Sequence, residues 1–226
     1  MASKAPRSER RSEALSKAQI IEAAIAILDS EGEAALTFRA LASRLATGIG
    51  AIYWHVANKE ALLAEAADDI VSVAVEKTQL TAHEPREAIR AISLAVFDAF
   101  DGHPWIGIQL SLAPGRLGML RVFEAIGANL LALGVSEGDR FNAWSALVNY
   151  IFGVATQNAN NARRANSGVT REQLLTEVAE RWGELDAGQY PFLREIAAQL
   201  PGHDDRQQFL AGIDLILAGV SLTIRP

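Results

Sequence analysis

The sequence predicts an all-α protein: a small N-terminal unit of three short helices, followed by a larger helical part. Three observations carry that prediction. Apolar residues recur at three- and four-residue spacing through nearly every segment. Helix ends are marked by capping residues: Ser16 with Gln19, Thr37, Asn58, and Thr170 with Gln173 at starts, Gly32 and Gly134 at stops. No run of alternating β-branched residues is long enough for a sheet.

Composition narrows the function classes. Half of the 226 residues are apolar, too many for a disordered chain. The chain has no cysteine, so disulfides, thiolate nucleophiles and thiolate metal sites are excluded. Charges or prolines interrupt every apolar run before the roughly 18 residues of a membrane span. The first 15 residues lack the apolar core of a signal peptide, so a cytoplasmic protein without membrane contact is expected. The net charge of −6 is unevenly placed. Residues 1–65 hold 8 basic and 8 acidic side chains, so the whole acidic excess lies beyond them. Lys4, Arg7, Arg10, Arg11 and Lys17 face only Glu9 and Glu13 in the first 17 residues. This basic arm, residues 1–15 with Lys17 just beyond, is either a solubilising tail or a phosphate-touching arm, and charge alone does not choose.

The elements follow in order. Ser16 opens a first helix with Ala18, Ile21, Ala24, Ile25 and Leu28 on one stripe, ended by Gly32. Thr37 caps a second, with Phe38, Leu41, Ala42 and Leu45 inward. Thr47-Gly48-Ile49-Gly50 breaks the pattern before a short segment from Ala51 to Val56. Asn58 caps a long helix with Leu62, Leu63, Ala66, Ile70 and Val73 inward, and Glu60 sits in its first turn, where the helix dipole favours it. Further helices are expected from Pro85 to Phe100, from His103-Pro104 to before Pro114, over Leu117–Leu133, from Ser136 to about Asn161, from Thr170 to about Trp182, over Pro191–Leu200, and from Asp204 to Leu222. The polar stretch 162–168 reads as a mobile loop.

Two helices joined by a tight break, the second of them short, make a helix-turn-helix. Ile52 and Val56 share the inner face of the short helix, and Tyr53, Trp54 and His55 then point outward. Three consecutive rings on so short a helix cannot all be buried, and exposed rings need a partner. Phosphates and base edges in a major groove are such a partner.

The stretch Ala40-Leu41-Ala42 through Leu45, then Ala51-Ile52-Tyr53-Trp54-His55-Val56-Ala57-Asn58-Lys59-Glu60-Ala61-Leu62-Leu63, resembles the DNA-binding head of the tetracycline-repressor (TetR) family. The resemblance is specific over about residues 16–65 and looser afterwards. It implies an arm over residues 1–15, a helix-turn-helix DNA-binding domain over 16–62, and a ligand-binding and dimerisation domain over 63–226. It also implies a homodimer that binds a palindromic double-stranded DNA operator and is released by a small-molecule effector, most often as a repressor. Thr37 and Arg39 match family positions that touch DNA, Tyr53 and His55 match sugar-phosphate contacts with Trp54 beside them, and Lys59 matches a phosphate contact. The family usually carries glycine where Ala46 stands, so the flexible residue is expected two places on, at Gly48. Gly48, Ile49 and Gly50 offer bases no side-chain hydrogen bonds, so Thr47, Ile49 and Ala51 are expected to read thymine methyls and shape, with Arg39 as the polar reader.

For the second part, a pocket of aromatic walls and polar hooks is expected. The candidate walls are Phe97, Phe100, Trp105, Phe123, Trp144 and Phe152; the candidate hooks are Gln109, Asn129 and Asn149, each also open to a bond with the backbone, and His103, also open to a role as a helix cap. Gln157, Asn158, Asn160 and Asn161 read as an exposed helix end. The mixture points to a largely apolar, uncharged or cationic effector. The resemblance puts a four-helix dimer interface on Phe141–Ala159 (Trp144, Leu147, Val148, Ile151, Ala155) and Phe209–Leu222 (Leu210, Gly212, Ile213, Leu217, Gly219, Val220). Each of these is equally open to a reading as internal core.

No catalytic, metal or cofactor residue is assigned. His55, His83, His103 and His203 are dispersed; only His83 has a carboxylate four positions on, Glu87, and Pro85 lies between them. No glycine-rich phosphate loop and no Gly-x-Ser-x-Gly elbow occurs. A second class stays open on the displaced glycines: an all-helical small-molecule-binding or enzymatic protein that has lost DNA binding.

Overall fold

The computed structural model describes residues 15–79, 84–111, 115–165 and 170–224. The elements are α1 (Lys17–Glu31), α2 (Phe38–Arg44), α3 (Ile49–Tyr53), α4 (Lys59–Gln79), α5 (Pro85–Gly102), α6 (Ile106–Ser111), α7 (Leu117–Ala132), α8 (Glu137–Ala165), α9 (Arg171–Gly183), α10 (Pro191–Ala197) and α11 (Asp205–Ser221). Outside the helices, a lone antiparallel bridge joins Val135 to Ile224. Two compact units meet after Ala66, inside α4. The arm over residues 1–15 lies outside the described residues except for its last position. The expected loop 162–168 is only partly described: α8 stays helical through Ala165, and the rest lies outside the described residues. No helix among the described residues is long and apolar enough to cross a membrane.

The first unit is set by local chemistry. Ser16 and Gln19 form a reciprocal capping box at the start of α1, and Gly32 ends it at φ 80°. Thr37 Oγ1 accepts the Ala40 N–H at 3.1 Å, and Asn58 Oδ1 accepts that of Ala61 at 2.7 Å. Ile20, Ala24, Ile27 and Leu28 of α1 bury against Leu41, Ile52 and Leu62 in one core. The buried stripe of α1 is therefore rotated from the expected one, and Ala18 is exposed. An alanine-rich helix is apolar nearly all round, so its tertiary partners choose the face.

In the second unit, α5, α7, α8 and α11 pack on one another. Ile89, Val96 and Phe100 of α5 are buried there, as are Val122, Ile126, Leu147, Ile151, Phe209 and Ile213 of the helices it packs on. Burying one such side chain is worth about 1.5–3 kcal/mol. The ion pairs joining α5 to α11, Arg90 with Asp214 and Arg206 with Asp98, are largely exposed and are worth at most about 1 kcal/mol each. The apolar core, not these pairs, holds the two helices together.

Two expectations are corrected here. On α4, Val71 and Val75 are buried, and Val73 is exposed. Past Ala67 the inward stripe runs one or two positions later than expected, again because the helix is apolar on several faces. On α8 and α11, Leu147, Val148, Ile151, Ala155, Ile213, Leu217 and Val220 are buried within the single chain. For these residues the internal-core alternative describes the chain by itself. Gly212 is also internal, since a Cβ there would lie 1.9 Å from Tyr150 Oη.

Candidate nucleic-acid interface and ligand cavity

The turn between α2 and α3 keeps its left-handed residue at Ala46, with φ 49°. Gly48 is the α3 N-cap at φ −85° and does not replace it. The displaced-glycine expectation is corrected: the left-handed residue is Ala46, and alanine bears the left-handed cost of roughly 1–2 kcal/mol. Gly48 and Gly50 are exposed, with open space where a Cβ would sit.

This turn presents α3 outward. Ile52 and Val56 are buried, whereas Ile49 is 39% exposed, Tyr53 57% and Trp54 90%. The edge of the Tyr53 ring meets Phe38, centroids 4.7 Å apart at 72°. Among the described residues no ring stacks on Trp54, which stands in solvent. Thr37 and Arg39 are exposed at the start of α2, and Thr47, Ala51 and His55 are half-buried around α3. Lys59 donates from Nζ to the Glu33 carbonyl at 2.6 Å, which pins the start of α4 to the α1–α2 connection and leaves two ammonium hydrogens. Lys17, counted above with the basic arm, instead pairs with Glu65 at 2.8 Å.

A cavity of about 680 Å³ opens in the second unit. Phe97 and Tyr150 form its aromatic wall, and both stack on Phe209, with centroids 4.8 and 5.6 Å away and planes tilted by 25° and 11°. Tyr150 Oη donates to the Phe209 carbonyl at 3.2 Å, and burial pushes its phenol up from the ordinary value. Val154, Leu174, Leu175 and Leu200 complete the apolar lining. Gln157, Asn158 and Asn161 of α8 and Gln208 of α11 supply amides. At one side Arg171 grips Asp205 in a fork, Nε to Oδ2 at 2.6 Å and Nη2 to Oδ1 at 2.7 Å. His203 Nε2 lies 2.9 Å from the same carboxylate, and its Nδ1 lies 2.6 Å from the Leu200 carbonyl.

Of the ten expected pocket residues, only Phe97 lines this cavity. Phe100, Phe123, Trp144 and Phe152 form an edge-to-face cluster among α5, α7 and α8, with centroids 5.2 to 6.2 Å apart. His103 caps the end of α5 and meets the ring of buried Trp105. Asn129 Nδ2 bonds back to the Ala125 carbonyl at 2.8 Å, and exposed Asn149 donates to Ser145 at 3.1 Å. Gln109 is half-buried on α6. Of the amides read as an exposed helix end, Gln157, Asn160 and Asn161 are exposed and Asn158 is half-buried, and Gln157, Asn158 and Asn161 also line the cavity. The polar run on an otherwise apolar helix was the visible signal. The grouping of Arg171 with His203 and Asp205 left none, because Arg171 lies 32 and 34 residues before them in sequence.

Residues 20–66 match the family model described as bacterial regulatory proteins of the tetR family, and residues 86–224 match that of the tetracyclin repressor-like C-terminal domain. The chain belongs to the TetR family. A relative described as an HTH-type transcriptional regulator, from Saccharopolyspora erythraea, is 30% identical over 92% of this chain and 86% of its own length. The solved structure of a TetR transcriptional regulator from Streptomyces coelicolor is 46% identical, with TM-score 0.82, over 93% of this chain and all of that one. ActR, a TetR protein of Streptomyces coelicolor solved with (S)-DNPA, shares the fold at TM-score 0.70 and 21% identity, over 92% of this chain and 98% of that one. The chain is thus a helix-turn-helix DNA-binding transcriptional regulator, and its relatives are regulators, not enzymes.

Proposed function

We propose that this TetR protein is a repressor that leaves a palindromic operator when a small molecule fills the cavity lined by α5, α8, α9 and α11. The single observation that carries this reading is the solvent-exposed row Ile49, Tyr53 and Trp54 on a helix braced from behind by buried Ile52. Such a row serves no purpose in the isolated chain and fits a major groove about 12 Å wide. Thr37 and the start of α2 meet a phosphate, Arg39 meets a phosphate or a guanine edge, and Thr47, Ile49 and Ala51 read thymine methyls and shape. The bare backbone at Gly48 and Gly50 allows close approach. Tyr53 and His55 hold the sugar-phosphate chain, with Trp54 beside them and the spare Lys59 hydrogens on a phosphate.

The protein works in the cytoplasm as a homodimer, because a palindrome asks for two heads related by a two-fold axis. With the apolar stripe of α8 and α11 used internally, the exposed side chains left for the partner are Phe141, Leu215 and Leu222, with Gly219 beside them. The deciding experiment is a footprint on the DNA upstream of the protein's own gene across a salt series. A palindromic footprint lost steeply with salt is expected. No binding even at low salt sinks the reading.

A further inference from the structure

The charges in the cavity are settled among themselves. Arg171 is held by both oxygens of Asp205, with His203 against the same carboxylate. Glu177 is paired with Arg181 at 3.0 Å. An anionic ligand at Arg171 would compete with the Asp205 carboxylate already seated on it and would lie beside that like charge.

The amides are in the opposite condition. Among the described residues, none makes a side-chain hydrogen bond to Gln157, Asn161 or Gln208. Asn158 gives one hydrogen to Asp101 at 2.8 Å and keeps its carbonyl oxygen. A carboxamide both donates and accepts, so four of them match hydroxyl and carbonyl groups and are indifferent to ionic charge. In the same lining, the rings of Phe97 and Tyr150 both stack on Phe209 and so lie nearly parallel to it, which suits a flat ring skeleton.

We infer that the effector is a neutral ring compound carrying several hydroxyl or carbonyl groups along one edge. The rings lie against Phe97 and Tyr150, and the oxygenated edge meets Gln157, Asn158, Asn161 and Gln208. This inference rests on the proposed effector role of the cavity and adds the chemical class.

Calorimetric titration of the full chain with three compounds on one skeleton tests it: a trihydroxyflavone, unsubstituted flavone and a flavone carboxylate. The trihydroxyflavone should bind at least about tenfold more tightly than either of the others, as expected when one or two hydrogen bonds separate them. Gln157→Leu with Asn161→Leu should erase the advantage over unsubstituted flavone. Asp205→Asn frees Arg171 and should raise carboxylate affinity about tenfold. Tightest binding by the carboxylate, equal binding of flavone and trihydroxyflavone, or no binding of all three overturns the inference without any variant being needed. Operator affinity is measured alongside. A trihydroxyflavone that binds yet leaves operator affinity unchanged supports the ligand class and sinks release from the operator, so the two readings fail separately.

Discussion

Asp68 caps a helix other than its own. Its Oδ1 accepts the backbone N–H of Gly118 at 2.7 Å, in the first turn of α7. The α7 N-cap, Arg116, makes no capping bond, so a carboxylate from α4 stands at this positive helix end. The approach requires glycine: a Cβ at position 118 would lie 2.6 Å from the Asp68 carbonyl oxygen and 2.9 Å from Oδ1. Gly118→Ala should therefore destabilise the chain by about 1–3 kcal/mol, read as a lower denaturant midpoint at unchanged slope. Asp68→Asn keeps the shape and should cost about 1 kcal/mol.

Asp69, next along α4, is disfavoured as an anion. Burial, then the carboxylates of Asp68 and Glu76, raise its pKa. A raised folded-state pKa contributes stability present below the unfolded value and lost as pH rises through the folded one. Asp69→Asn should accordingly raise Tm at pH 7 and bring no gain below about pH 4, near the unperturbed value of an aspartate. Thermal melts of both proteins across that range check it, and an equal gain at pH 3 and pH 7 refutes the assignment.

Ala46 holds a conformation that glycine adopts freely. Ala46→Gly relieves the strain of roughly 1–2 kcal/mol and returns up to about 1 kcal/mol through the looser unfolded chain. The expected net effect is stabilisation of about 0.5–1 kcal/mol in the first unit with operator affinity unchanged. A lower Tm for the glycine variant contradicts the left-handed turn.

Trp54→Ala separates binding from folding. The ring is almost fully exposed, so Tm should stay within the roughly ±0.5 kcal/mol of a surface change, while operator affinity falls about tenfold. Ile49→Ala should narrow the gap between operator and random DNA. Equal losses on both for the Ile49 variant defeat its role as a reader. Lys59→Ala should weaken binding to all sequences and also lower Tm, because its bond to the Glu33 carbonyl goes with it.

What the sequence made legible was local. The caps at Ser16, Thr37, Asn58 and Thr170 depend on residues three positions apart, and each occurs as read. The exposure of Tyr53 and Trp54 followed from helical spacing alone. The α1 and α4 faces were misassigned because helices rich in alanine and valine offer several apolar stripes, and only the packed partner selects one. The cavity was mostly illegible for a different reason. Arg171, His203 and Asp205 meet only after α9 and α11 are brought together, and the wall rings Phe97 and Tyr150 are aligned by Phe209, distant from both in the chain.

The α9 helix, which supplies Arg171, Leu174 and Leu175 to the cavity, has no buried residue of its own. Its attachment should therefore be weaker than the packing among α5, α7, α8 and α11, and it is expected to open locally before they unfold. Amide hydrogens of α9 should exchange through a shallow local opening while those of α5 wait for global unfolding. An occupant of the cavity should slow exchange in the first set far more than in the second.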